Sequence, residues 1–162
     1  MYQLRGPRVR PLTVDEITKA AVNACLILKF SSPHSYRNKK VRYDSAFEGL
    51  SEFAITVNPI DDDEWFELTY NLTEGHCDPE QRLINIPNRI FLQACRGEQH
   101  GLMVMCHELG HLLLQHKPLL HFSTIAPTAE EDSEWQADFF ADVMLRKLGF
   151  DPGFCQLAFN FD

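Results

Sequence analysis

The chain has 162 residues, 44% of them hydrophobic, and a formal net charge of −8. This length predicts a single domain spanning residues 1–162, and the composition argues against disorder. The acidic balance disfavours sequence-nonspecific nucleic-acid binding, because phosphate contacts require an excess of Lys and Arg.

The first twelve residues are predicted to form an irregular arm that carries Arg5, Arg8 and Arg10. We interpret these arginines, and the basic residues at 37–42, as solvated rather than as a binding patch. No segment resembles a signal peptide, and no apolar run is long enough to cross a bilayer. The five cysteines include no C-x-x-C pair, which favours free thiols in a reducing compartment. We therefore expect a cytoplasmic protein without direct nucleic-acid or membrane contacts.

The front half predicts one helix and then a small sheet. Residues 13–16 (Thr-Val-Asp-Glu) form a capping box, and apolar residues recur at helical spacing as far as Leu28. Three runs rich in β-branched or aromatic residues follow at 53–57, 65–70 and 82–86. Because turn-forming residues such as Asn58-Pro59 separate them, these runs predict an antiparallel meander.

The back half predicts three helices. A short one covers residues 88–95 and stops at Gly97, and a longer one covers residues 101–116. A second capping box at residues 128–131 opens a last helix, which runs to Leu148 and is capped by Gly149. The fold class is therefore α+β, with a small sheet packed on helices.

The helix over residues 101–116 carries the sequence His-Glu-Leu-Gly-His at positions 107–111. Its two histidines, four residues apart, project from one face one turn apart, which suits two ligands of a tetrahedral Zn²⁺. Glu108 lies beside them as the candidate general base. Gly110 lowers helix propensity, so another element is expected to pack closely against that turn.

Two histidines leave a catalytic zinc site one protein ligand short. Glu134 is the best candidate, because it heads an otherwise apolar stripe of the last helix, where a buried carboxylate needs a partner. Asp138, one turn further along, could accept the second N–H of a ligating histidine and fix its tautomer. Two alternatives remain open at this point: an exposed acidic run continuing from Glu130, or Asp138 as the ligand.

His-Glu-Leu-Gly-His, followed by the stretch Glu-Trp-Gln-Ala-Asp-Phe-Phe-Ala at 134–141, resembles the paired signatures of the ImmA/IrrE family of metallopeptidases. The resemblance implies a zincin-like fold with a mostly antiparallel three-stranded sheet, an active-site helix and a C-terminal helix bearing the glutamate. It also implies that His107, His111 and Glu134 hold zinc and that Glu108 is the catalytic base. Relatives cleave or antagonise helix-turn-helix repressors, so the expected partner is such a regulator, bound in trans.

Several functional questions stay open in the sequence. The alternative to proteolysis is a non-proteolytic toxin or protein-binding module of a toxin–antitoxin pair, and a third possibility is a zinc-free structural protein. Candidates for a second electrophile at the scissile carbonyl are Tyr36, His76 and His121. The strand at 83–87 is a candidate edge for a substrate peptide. The Phe-rich tail after residue 149 is interpreted as cover for the protein's own core.

Overall fold

A computed structural model describes residues 1–30, 43–119 and 124–151, and within these ranges the fold is α+β. The helices are α1 (Val14–Ile27), α2 (Asp44–Glu48), α3 (Asp62–Thr69), α4 (Asn88–Cys95), α5 (Gln99–Leu113) and α6 (Ser133–Lys147). The strands are β1 (Thr56–Ile60), β2 (His76–Asp78) and β3 (Leu83–Pro87), and short 3-10 helices cover Gly49–Phe53 and Ala129–Glu131. None of the helices in these ranges is long and apolar enough to cross a membrane.

The first helix forms as predicted. Thr13 and Glu16 make the reciprocal capping box, and Ile17, Ala21 and Ala24 are buried on one face. Ser31-Ser32-Pro33, which the sequence predicts to end this helix, lie outside the described residues. Cys25, Cys77 and Cys106 are free thiols, in agreement with the prediction, whereas Cys155 also lies outside those residues.

The three-stranded sheet is mixed, with strand order β1-β3-β2, so the predicted antiparallel meander is wrong. β1 pairs with β3 in parallel, and β2 pairs with β3 antiparallel. β1 begins three residues later than predicted and contains Asn58 and Pro59, which were interpreted as breakers. Proline is tolerated there because β1 is an edge strand. The predicted substrate edge, β3, is instead the central strand of the described sheet, paired with β1 over residues 83–87 and with β2 over residues 83–85.

Residues 65–70 were predicted to form a strand, but residues 65–69 belong to helix α3. Asp61 caps this helix by accepting hydrogen bonds from the backbone N–H groups of Asp63 and Glu64. Three acidic residues in the first turn complement the helix dipole. Tyr70 then ends the helix in a left-handed conformation. The local charge pattern therefore overrides the strand propensity of the aromatic residues.

Helices α5 and α6 pack against each other and carry the core beneath the site. The predicted apolar stripe of α6 is buried, including Ala137, Ala141 and Leu145. A Cβ atom at Gly110 would lie 3.2 Å from the Ala137 Cα and 3.1 Å from the Phe140 Cδ1. The predicted close approach at Gly110 is therefore confirmed. The capping box at 128–131 opens a 3-10 turn rather than the helix, which Asp132 caps instead.

The N-terminal arm packs along the start of α6, so it is only partly solvated, although alternate residues such as Arg5 are exposed as predicted. The arm's anchor is Asp132, which is fully buried and accepts hydrogen bonds from the Tyr2 hydroxyl at 2.6 Å and from the backbone N–H groups of Arg5 and Gly6. Asp132 also accepts a hydrogen bond from the Glu134 N–H, which caps α6. One carboxylate thus joins the arm to the helix that carries Glu134.

We predict that Asp132→Ala lowers the free energy of unfolding by about 2–4 kcal/mol, since it removes a helix cap and leaves part-buried donors unpaired. Asp61→Ala, which removes only the exposed cap of α3, is the matched control and is expected to cost about 1 kcal/mol. Urea denaturation measures both values. Equal losses in the two variants would contradict the anchoring role of Asp132.

The same anchor predicts a dependence of stability on pH. Burial by itself raises the pKa of Asp132, but the donors from Tyr2, Arg5, Glu134 and Gly6 lower it overall. A carboxyl whose pKa is depressed by folding stabilises the protein fully above its unfolded value of about 4, and this contribution disappears as the pH falls through the lower folded-state pKa. The cost of Asp132→Ala should therefore shrink in acid.

Candidate active site

Helix α5 brings two imidazoles to one face, as their spacing predicts. The Nε2 atoms of His107 and His111 lie 3.1 Å apart, and the ring centroids lie 4.8 Å apart. Their side chains are mostly buried, with exposed fractions of 19% and 14%. Both Nε2 atoms point to a common position between α5 and α6.

Glu134 completes this cluster from the start of α6. Its carboxylate oxygens lie 3.1 Å from His107 Nε2 and 3.2 Å from His111 Nε2. The hydrogen bonds to the two imidazoles hold the pKa of Glu134 well below its usual range, so this carboxyl is ionised. The structure thus separates Glu134 from the exposed acidic run that was its alternative interpretation.

The donor set fits a metal ion. Atoms bound about 2.0–2.1 Å from a tetrahedral ion lie roughly 3.3 Å from one another, close to the separations observed here. Within the described residues, His107, His111 and Glu134 form a group able to hold a metal ion. Asp138 does not belong to that group, which disfavours its alternative role as a ligand.

Asp138 instead lies behind His107, where it was predicted. Its Oδ1 is 2.8 Å from His107 Nδ1, and its Oδ2 accepts a 2.8 Å bond from Arg5 of the N-terminal arm. Burial alone would lower the pKa of His107, but the bonds to Asp138 and Glu134 raise it to about 10. Because the carboxylate accepts the Nδ1 proton, the other nitrogen, Nε2, is the one available to a metal.

Glu108 faces a cavity of about 390 Å³ that also reaches His107, His111 and Glu134. Its side chain is 6% exposed, and burial raises the pKa of this carboxyl. A Cβ atom at Gly75 would lie 2.8 Å from Glu108 Oε1, so residue 75 must be glycine for the carboxylate to keep its position. The arrangement places a buried carboxyl with an elevated pKa on the cavity that the candidate metal position also lines.

His116 is a residue of the site that the sequence analysis did not assign. It follows the end of α5, and its Nδ1 lies 2.8 Å from His111 Nδ1. Helical periodicity could not find this contact, because the chain leaves the helix at Leu114 and turns through Gln115, which has a φ of 54°. The side chain of Gln136 lies behind His116.

Three residues were predicted as candidates for a second electrophile at the scissile carbonyl. His76 lines the cavity, at the edge strand β2, whereas Tyr36 and His121 lie outside the described residues. Cys77 also lines the cavity, and burial raises the pKa of its thiol to about 12. A protonated thiol is a poor nucleophile and a poor metal ligand, so Cys77 does not compete with the histidines.

The geometry agrees with comparisons to known proteins. A family model of peptidase M78, described as the IrrE N-terminal-like domain, matches residues 53–147. No curated protein and no solved structure matches the chain. The matched range includes both histidines of α5 and the glutamate of α6, and it excludes the N-terminal arm. Because it covers more than half of the chain, the protein belongs to the IrrE N-terminal-like family of peptidases, a metallopeptidase family.

Proposed function

We propose that this protein is a zinc-dependent endopeptidase that cleaves a helix-turn-helix regulator or a similar regulatory protein. The convergence of two imidazole nitrogens and one carboxylate beside a buried glutamate carries the proposal. Two histidines and a glutamate, with an open position, are a ligand set of catalytic zinc in peptidases. The cavity beside the cluster leaves room for solvent and for a peptide.

The chemistry divides between the ion and the chain's own residues. Zn²⁺, when bound by His107, His111 and Glu134, supplies a Lewis acid and lowers the pKa of a coordinated water to about 7. Glu108 takes the proton of the attacking water and passes it to the leaving amine.

The substrate peptide is proposed to bind along β2, the edge strand beside the cavity. Gly75, His76 and Cys77 line the cavity, and within the described sheet β2 is hydrogen-bonded on one side only, to β3. An extended peptide that adds to this edge gains main-chain hydrogen bonds and passes in front of Glu108. This replaces β3, which the sequence suggested, as the docking edge.

The net charge of −8 supports a basic partner. Proteins that bind DNA through helix-turn-helix motifs need cationic surfaces for phosphate contacts, and opposite charge speeds association. The proposed partner acts in trans and is recognised outside the metal cluster. We further propose that this encounter takes place in the cytoplasm and that one domain covers residues 1–162.

The direct test is incubation of the zinc-loaded protein with the helix-turn-helix protein encoded beside its gene, followed by mass spectrometry of the products. We expect two fragments from one cleavage site, loss of cleavage after chelation, and recovery when zinc is restored. The control is an unrelated helix-turn-helix protein of similar charge, which should stay intact. A stable complex with an uncut partner would instead support a non-proteolytic binding module.

A further inference from the structure

His111 differs from His107 in what lies behind it. Nδ1 of His107 contacts the carboxylate of Asp138, whereas Nδ1 of His111 contacts the imidazole of His116, the first member of an uncharged series of side chains. The series runs from His111 Nδ1 to His116 Nδ1 at 2.8 Å, and from His116 Nε2 to Gln136 Oε1 at 2.8 Å. Its far end reaches the N-terminal arm through Gln136, which is fully buried.

The orientation of the Gln136 amide is fixed by two backbone carbonyls. Gln136 Nε2 lies 2.9 Å from the Arg10 carbonyl oxygen and 2.6 Å from the Glu130 carbonyl oxygen. Carbonyl oxygens only accept hydrogen bonds, so the amide nitrogen must face them. The amide oxygen is therefore the atom that faces His116.

This orientation of the Gln136 amide determines which nitrogen of the His116 and His111 rings carries the proton. Because the Gln136 oxygen can only accept, the proton of a neutral His116 is on Nε2, and its Nδ1 carries a lone pair. That lone pair accepts the Nδ1 proton of His111. The Nε2 of His111 is then left with a lone pair directed at the position shared with His107 and Glu134.

We propose that His116 and Gln136 are positioning residues that hold His111 in the tautomer and ring orientation required of a metal ligand. The inference rests on the proposed zinc site and extends it to residues beyond the ligands. A neutral series suits this position, since a second carboxylate behind His111 would add another buried negative charge to a site that already holds Glu134 and Asp138. The series also connects the N-terminal arm to the candidate metal ligand His111, because the Arg10 carbonyl is one end of the series.

The test uses the full chain with zinc bound. His116→Phe removes the acceptor while keeping a planar ring, and Gln136→Met removes the amide while keeping its length. We expect each to weaken zinc binding by about 10- to 100-fold, measured by competition with a chelator of known affinity. The zinc affinity of the double variant should be no lower than that of the more impaired single variant, because the two residues act in series.

Two further variants separate positioning from general loss of structure. His116→Asn keeps an acceptor oxygen near the place of Nδ1 and should recover much of the affinity. His100→Phe, at a half-exposed histidine of α5 that pairs with Glu74, should bind zinc like the wild type. Proton NMR should show a slowly exchanging His111 Nδ1–H in the wild type, lost in His116→Phe while the His107 Nδ1–H remains.

The outcomes distinguish this inference from the proposed function. Unchanged zinc affinity in His116→Phe, or additive losses in the double variant, would overturn the positioning role even if the wild type cleaves its substrate. A wild-type chain that binds no zinc would instead defeat the proposed function. If His116→Phe does not fold, Gln136→Met and His116→Asn give the same comparison.

Discussion

Replacing Glu108 with Gln should lower kcat/KM by about 10²- to 10⁴-fold while leaving one zinc ion bound per chain. The change removes the proton acceptor but keeps the length and nearly the volume of the side chain. Glu108 is not one of the three clustered ligand candidates, so the metal site should persist. Substrate cleavage and metal content, measured on the same preparation, check both halves of the prediction.

Glu67→Gln is the matched control for this variant. Glu67 is an exposed carboxylate on α3, so its neutralisation changes net charge equally without touching the cavity. We expect wild-type kcat/KM in this control. Full activity in Glu108→Gln would show that another group accepts the proton. Loss of zinc in Glu108→Gln would show that Glu108 is a ligand.

Glu134→Ala should have the other large effect, the loss of the metal itself. The variant removes the carboxylate that lies within 3.2 Å of both imidazoles and leaves two protein ligands. Zinc affinity should fall further than the about 10- to 100-fold typical when an outer partner is lost. In the wild type, zinc at 100 times its Kd should stabilise the folded chain by about 2.7 kcal/mol and so raise its Tm. In Glu134→Ala this thermal shift on adding zinc should disappear.

Glu130→Ala serves as the control for this second variant. Glu130 is exposed and belongs to the same acidic run, so a general charge effect would appear there as well. We expect normal zinc content and a normal thermal shift in that control. If Glu134→Ala kept stoichiometric zinc and its thermal shift, the cluster would have a different third ligand.

The ligand candidates could be predicted from sequence because their geometry is local. Four residues of helix place two histidines on one face, and the apolar stripe below Glu134 turns that carboxylate inward. Asp138 follows Glu134 by one helical turn, so its approach to His107 follows from the same periodicity. These residues also lie within residues 53–147, the range that the family model matches.

The rest of the site depends on contacts between distant segments. His116 reaches His111 only because the chain turns after α5, and Arg5 reaches Asp138 across more than 130 residues of sequence. No periodicity encodes either contact. The wrong predictions of a strand at residues 65–70 and of an antiparallel meander have a related cause. The aromatic residues of α3 suggested a strand, but α3 is a helix that lies between β1 and β3 in the chain, and these two strands pair in parallel. Tertiary context decides such cases over local propensity.

His107, His111 and Glu134 are proposed to hold one zinc ion together. Crystallography of the zinc-loaded protein, with anomalous data collected at the zinc edge, tests this proposal most directly. We predict one anomalous peak about 2.0–2.2 Å from the Nε2 atoms of both histidines and from a carboxylate oxygen of Glu134. A peak elsewhere, or a peak at the histidines with Glu134 beyond coordinating distance, would contradict the account.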